Sequence, residues 1–313
     1  MNDVLTLGEL LAECVRPGVD QPLDQPGELL GPFPSGAPLI FIATVARLGW
    51  PAAMVGVVGA DPLGRMLVRR LQADGVDVRG IHTTSEVATA VSFVAYASDG
   101  SRQFVFHLAN SAAGRLGPQH VEAGTARQAG WLHISGSAMS INESMRAACL
   151  RALELARAAR VSLDPNLRVE LLGSVERARA LFAPVMARAE VVFPSASEIE
   201  VLTGEADADR GAAVLLAQGP RLVVLKRGAA GCSVYSAAGR QDIPGFPTVE
   251  VDPTGAGDSF AAGFVVATLR GMAPPEAARY ANAVGSLAVR KWGPAEGAAS
   301  DAEVQALLAA GPG

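Results

Sequence analysis

Asp258 closes a Gly-Ala-Gly turn, Gly255-Ala256-Gly257, and an Ala-rich apolar run with Phe260, Phe264 and Leu269 follows it to Gly271. The glycines permit positive φ and close approach of another group. The run after them predicts a buried helix over Gly257–Leu269. A helix start exposes unpaired N–H groups at the positive end of the dipole, so it binds an anion without a basic side chain. A carboxylate held there can take a hydroxyl proton while the amides stabilise charge on a transferred phosphoryl group. A plain helix cap on a tight turn accounts for the same residues, and the pattern alone does not separate the two. The loop is not a Walker A motif, since no Gly-Lys-Ser/Thr ends it, and GxGxxG is absent.

Other chemistries find little support. The histidines, His82, His107, His120 and His133, show no ligand spacing, and His133 in "WLHIS" reads as a core residue. Cys14, Cys149 and Cys232 are far apart and odd in number, which points to neither a zinc site nor a disulfide framework. A reducing cytoplasm is the expected location. The chain has 313 residues, half of them hydrophobic, and a formal net charge of −5. That balance gives no basic footprint for nucleic acid. The start "MNDVLTLGELLAE" lacks the basic n-region of a signal peptide. No uninterrupted apolar run reaches the ~18 residues of a membrane span.

The elements that must position the loop follow from periodicity. Apolar runs at Val4, Ala52, Trp131, Val161, Glu190 and Leu222 predict strands. Helical patterns lie over Ile40–Leu48, Leu63–Ala73, Asn142–Arg157, Val175–Arg188 and Ala208–Ala217, and another starts near Pro275. Near-continuous apolar strands alternating with helices predict an α/β fold, a mostly parallel sheet with helices on both faces. Two regions break the rhythm. Pro17–Pro38 is rich in Pro and Gly, and Val87–His107 reads as a hairpin about Asp99-Gly100. Together they predict a small β-flap acting as a lid; a hairpin that extends the sheet edge is the alternative.

Asp252-Pro253-Thr254-Gly255-Ala256-Gly257-Asp258-Ser259-Phe260 resembles the C-terminal signature of the ribokinase-like (PfkB) sugar kinases. The motif is long and specific, and the likeness extends over nearly the whole chain. "SGAPLIFIATVARLG" with "VGVVGADPLG" resembles the family's N-terminal signature, and "LHISG", "SLDPNLR", "SASEIEVLTG" and "VVLKRGAAG" follow in family order. The resemblance implies one ribokinase-like domain over residues 1–313, with β-sheet lid segments at about 12–38 and 86–110. It implies ATP as donor, Mg2+ and, in many members, K+ beside the anion hole. It also implies a homodimer paired through the lid.

On that resemblance Asp258 is the catalytic base and Gly255, Ala256 and Gly257 form the anion hole. Asp252 and Thr254 match monovalent-cation positions, with a turn-stabilising interaction as the alternative. Glu198 organises Mg2+ through water; the Asn of that motif is Ser195 here, as in relatives resembling ketodeoxygluconate kinases. Asn166 and Arg168 follow a buried strand at its carboxyl end, where binding loops gather, and Arg168 can pair with a phosphate or substrate oxygen. Asn166, Ser195, Lys226, Gly228, Gly231 and Asn282 fall on the ATP side. Glu13, Gly36, Ala37, Phe106 and Asn110 fall on the substrate side with Asp258 and Arg168.

The sugar end departs from the family. Ile40 stands where a sugar-binding Asn is usual, and Glu13 stands near the sugar-binding Asp. Leu108 replaces the Arg that serves a substrate carboxylate in ketodeoxygluconate kinases, and a carboxylate without a cationic partner binds poorly. A neutral sugar is therefore expected. The run "GPFPSGAPLIFI" looks most like tagatose kinases, so a ketohexose, tagatose or fructose, comes first. A 2-keto-3-deoxygluconate kinase, a ribokinase or nucleoside kinase, a kinase for a sugar phosphate and a non-catalytic sugar or nucleotide sensor are the alternatives. Phe104 and Phe106, on one face of the flap strand, either cover the sugar or form a dimer core.

Overall fold

The computed structural model describes residues 4–167 and 174–311. Its strands along the chain are β1 (Val4–Leu7), β2 (Leu11–Val15), β3 (Leu30–Ser35), β4 (Ala52–Gly59), β5 (Asp77–Thr84), β6 (Ala90–Tyr96) and β7 (Arg102–His107). They continue with β8 (Trp131–Ser135), β9 (Arg160–Asp164), β10 (Val191–Val192), β11 (Leu222–Lys226), β12 (Cys232–Ser236) and β13 (Gly239–Ile243).

Nine strands form one sheet in the order β13-β12-β11-β10-β9-β8-β1-β4-β5. Pairing is parallel from β5 to β11. β12 and β13 add an antiparallel edge. The central strands β1, β4 and β8 are buried along their full length, as a parallel sheet covered on both faces requires. Alternation then sorts side chains to two cores. Leu5, Leu7, Leu132 and Ile134 join the helices Glu143–Leu155 and Val175–Met186 on one face. Val4, Met54 and Trp131 join the helices Ala37–Arg47, Ala256–Leu269 and Pro274–Ala288 on the other.

The helix Ala256–Leu269 is buried from Asp258 to Ala267. Such a helix must pack on all sides. Gly263 lets the helix Pro274–Ala288 come close, since a Cβ there would lie 2.9 Å from Val284 Cγ2. Phe193 packs edge-on to Phe260 and Phe264, and Thr44 Oγ1 lies 3.3 Å from Ser259 Oγ.

The irregular regions form a second sheet in the order β3-β2-β6-β7. It is separate from the main sheet and not an extension of its edge. Pro32 and Pro34 lie in β3, an edge strand, where a missing N–H is tolerated. The expected strand "EVVF" shortens to the two residues of β10. β5, β12 and β13 carry no strong apolar run and are additions to the sequence reading.

Candidate active site

β1, β8, β9, β10 and β11 are neighbours and parallel, so their carboxyl ends line up along one edge of the sheet. Each delivers a side chain there: Glu9 after β1, Ser137 after β8, Asp164 at the end of β9, Ser195 after β10 and Lys226 at the end of β11. All five line one cavity of about 530 Å³. Loops outside strand carboxyl ends are where open α/β sheets bind ligands. The start of the helix Ala256–Leu269 opens into the same cavity, and the second sheet contributes Leu11, Glu13, Phe104 and Phe106 to its wall.

Gly255 precedes that helix with φ +84°. A Cβ there would meet Pro294 O at 2.6 Å and Ile40 Cγ2 at 3.1 Å. The turn thus requires glycine, and Ile40 packs beneath it. The helix starts at Ala256, one residue before the expected start. Asp258 sits in the first turn, 8% exposed. Asn166 Nδ2 donates to Asp258 Oδ1 at 3.4 Å.

A lysine stands beside the turn. Lys226 Nζ donates to Asp164 Oδ2 at 2.6 Å. It also flanks Gly257, where a Cβ would lie 3.3 Å from Nζ. Burial by itself lowers the Lys226 pKa, but Asp164, Glu198 and Asp258 around it outweigh that and hold the ammonium above its usual range. A fixed positive charge therefore stands beside the helix start.

Glu198 lines the cavity and is held by a capping box: Ser195 N donates to Oε2 at 2.7 Å. Leu167 N donates to Oε1 at 2.8 Å, which ties this helix start to the loop after β9. Among the described residues no cluster of three or more His, Cys, Asp or Glu is placed to hold a metal. Mg2+ in phosphoryl-transfer sites keeps its waters and takes one or two carboxylates plus substrate phosphates. Glu198, on the cavity wall with both oxygens already accepting backbone N–H groups, fits that mode through water. Arg168 lies outside the described residues.

Asp252 and Thr254 do come together, at the root of the same loop. A tyrosine stands between them. Tyr96 OH donates to Asp252 Oδ1 at 2.5 Å and lies 2.6 Å from Thr254 Oγ1. Thr254 N donates to Asp252 Oδ1 at 3.0 Å and Gly293 N to Oδ2 at 3.0 Å. Burial first, then the Asp252 carboxylate, push the Tyr96 phenol well above its usual range, so it stays protonated.

Under the second sheet, Glu13 is buried; Ser92 Oγ donates to its Oε2 at 2.8 Å and Ser35 Oγ at 3.3 Å. Gly36, Ala37 and Leu108 line the cavity here. Phe104 and Phe106 stack with centroids 5.1 Å apart and both face the cavity. Asn110 is exposed in the turn after β7, outside the lining. Glu9 was not anticipated: it is 3% exposed, and Ser137 Oγ donates to its Oε1 at 2.6 Å. Its position directly after Gly8, at the carboxyl end of β1, is the signal that could have found it. Tyr96 carries no such signal.

At the far end lie Gly228, Gly231 and Asn282. A Cβ on Gly231 would meet Ile243 O at 2.2 Å. Asn282 Nδ2 donates to Ile243 O at 3.2 Å and Pro244 O at 3.0 Å, so it holds the loop that walls this end. His133 is a core residue as expected, stacked on Phe41 at 3.7 Å.

Comparison with known proteins agrees with this geometry. Residues 1–301 match the profile described as pfkB family carbohydrate kinase. Fructokinase-1 of Zea mays is 33% identical over 316 residues, covering 97% of each chain. An E. coli chain provisionally named ribokinase II, solved with ATP and Mg2+, is 38% identical with a TM-score of 0.93, covering 99% of this chain and 100% of its own. The fructokinase of Vibrio cholerae O395, solved with fructose, ADP and calcium, is 26% identical with a TM-score of 0.86, covering 98% and 99%. With its strand-end row of polar residues, its Gly-Ala-Gly helix start and its second sheet over one cavity, the chain belongs to the pfkB family of carbohydrate kinases.

Proposed function

We propose that the protein transfers the γ-phosphoryl group of ATP to a hydroxyl of a neutral ketohexose, with fructose favoured and tagatose in the same class. The observation that carries the reading is that Asp258, the Gly255–Gly257 turn and Glu13 share one cavity. The V. cholerae relative was solved with fructose, and fructokinase is the name of the Zea mays relative. Two buried carboxylates, Glu9 and Glu13, face the sugar end. They suit hydroxyl donors and repel an acid such as 2-keto-3-deoxygluconate.

Asp258 takes the proton of the acceptor hydroxyl as it attacks. The amides at the helix start and the Lys226 ammonium stabilise charge on the transferring group. Glu13 orients the sugar hydroxyls, and Phe104 and Phe106 exclude water from above. The nucleotide lies towards Gly228, Gly231 and Asn282. Mg2+, reached by Glu198 through water, neutralises phosphate charge when bound.

We place this activity in the cytoplasm, where ATP is available; among the described residues no helix is long and apolar enough to cross a membrane. Two copies pair through the second sheet, a state that light scattering checks. Phosphate transfer measured across ketohexoses, aldoses, 2-keto-3-deoxygluconate, sugar phosphates and nucleosides tests the substrate. The reading predicts the highest kcat/KM with a ketohexose; turnover confined to acids, nucleosides or phosphosugars contradicts it.

A further inference from the structure

Tyr96 ties the loop expected to carry the anion hole to the second sheet. Tyr96 ends β6 and lies 156 residues from Asp252 in sequence. Its hydroxyl sits between Asp252 and Thr254, the two side chains expected to ligate K+. Asp252 is fully buried, and both its oxygens accept hydrogen bonds: Oδ1 from Tyr96 OH and Thr254 N, Oδ2 from Gly293 N. A cation on Oδ1 would have to displace the phenol. The three donors offset the burial of the carboxylate, and the phenol occupies the place between Oδ1 and Thr254 Oγ1 that a cation bound by both side chains would take. The residues therefore do not fit a monovalent cation.

We infer that the Tyr96 hydroxyl takes the place of a monovalent cation at the Asp252–Thr254 loop and thereby couples the second sheet to the anion hole. Thr254 directly precedes Gly255, so a phenol fixed at Thr254 fixes the first residue of the turn. Tyr96 does not line the cavity; it is a positioning residue. Because it belongs to the second sheet, movement of that sheet would release the turn. The cation-independence is a property of this chain's own residues and extends the kinase reading.

The test compares wild type and Tyr96→Phe in K+, Na+ and tetramethylammonium salts of equal ionic strength. The readouts are thermal melting, amide exchange over residues 252–258 and ketohexose phosphorylation. Wild type should show the same melting, exchange and rate in all three salts. Tyr96→Phe in tetramethylammonium should exchange faster over the loop and lose about tenfold in kcat with KM little changed. K+ should restore part of both. A saturable K+ response of wild type, in melting or in rate, overturns the inference, and this holds even if Tyr96→Phe does not fold. Equal behaviour of the two proteins in tetramethylammonium also overturns it. Melting and exchange need no sugar, so absence of ketohexose turnover would count against the kinase reading and leave this inference to be judged separately.

Discussion

Lys226 Nζ lies 2.6 Å from Asp164 Oδ2, and the pair joins the ends of two strands directly beneath the helix start that holds Asp258. Asp164 is 1% exposed and Lys226 19%. Buried pairs of this kind cost desolvation and are damaging to break. Here the pair also supplies a positive charge beside Gly257, where phosphoryl charge would gather.

Lys226→Met should therefore act on both stability and rate. Removing the ammonium leaves Asp164 buried without its partner, a loss of roughly 3–5 kcal/mol. Denaturant melts measure it. The double variant Lys226→Met/Asp164→Asn should recover much of that stability and none of the lost kcat, about 10²-fold. Recovery of both would mean that the pair is structural only.

Gly255→Ala should abolish the turn. The residue has φ +84°, and its Cβ would press on a backbone oxygen at 2.6 Å. Backbone oxygen cannot swing aside as a side chain tip can, so the loop must shift. A loss of about 1–3 kcal/mol is expected, with phosphorylation reduced far more than stability. Wild-type activity in the alanine variant would show that the turn geometry is dispensable.

His133 sets a pH dependence of stability. Burial first, and Lys226 second, bring its pKa down to about 3. His133 Nδ1 lies 2.8 Å from Ser162 Oγ, which also accepts from Trp131 Nε1 at 2.8 Å. The imidazole is thus held neutral. Unfolded histidine titrates near ~6.5, so between about 6.5 and 3 the unfolded chain binds a proton that the folded one refuses. Stability from this group is complete above the upper value and falls with pH by up to about 1.4 kcal/mol per unit through that window. His133→Phe keeps the stack on Phe41 and should flatten the fall in urea melts taken from pH 7.5 to 5. Parallel curves for the two proteins would contradict this assignment.

The turn that ends at Asp258 and the helix after it were legible because they are local. Gly255 to Asp258 are consecutive, and the apolar run to Leu269 marks the helix that they start. The central strands were legible for a related reason: full burial on both faces leaves Val4–Leu7 and Trp131–Ser135 no polar positions to blur the pattern beyond Thr6, His133 and Ser135. β5 was missed since it is only partly buried, and its sequence, DVRGIHTT, mixes both classes. β12 and β13 form an antiparallel edge whose outer strand is largely exposed. The end of the cavity under the second sheet was the least readable. Glu9 and Glu13 are held by hydroxyls from distant stretches of chain, Ser137 and Ser92. In sequence Lys226 belongs to the run VVLKRGAAG, and its place against Gly257 and Asp164 is visible only in three dimensions.

Asp258→Asn tests the account most directly. The amide is isosteric, can still accept from Asn166, and leaves the Gly255–Gly257 turn unchanged, yet it cannot take a proton. Steady-state phosphorylation of fructose, with melting and ATP affinity measured alongside, should show a fall in kcat of about 10²–10⁴-fold with fold and nucleotide binding kept. A variant that phosphorylates at the wild-type rate would contradict the role of Asp258 as base.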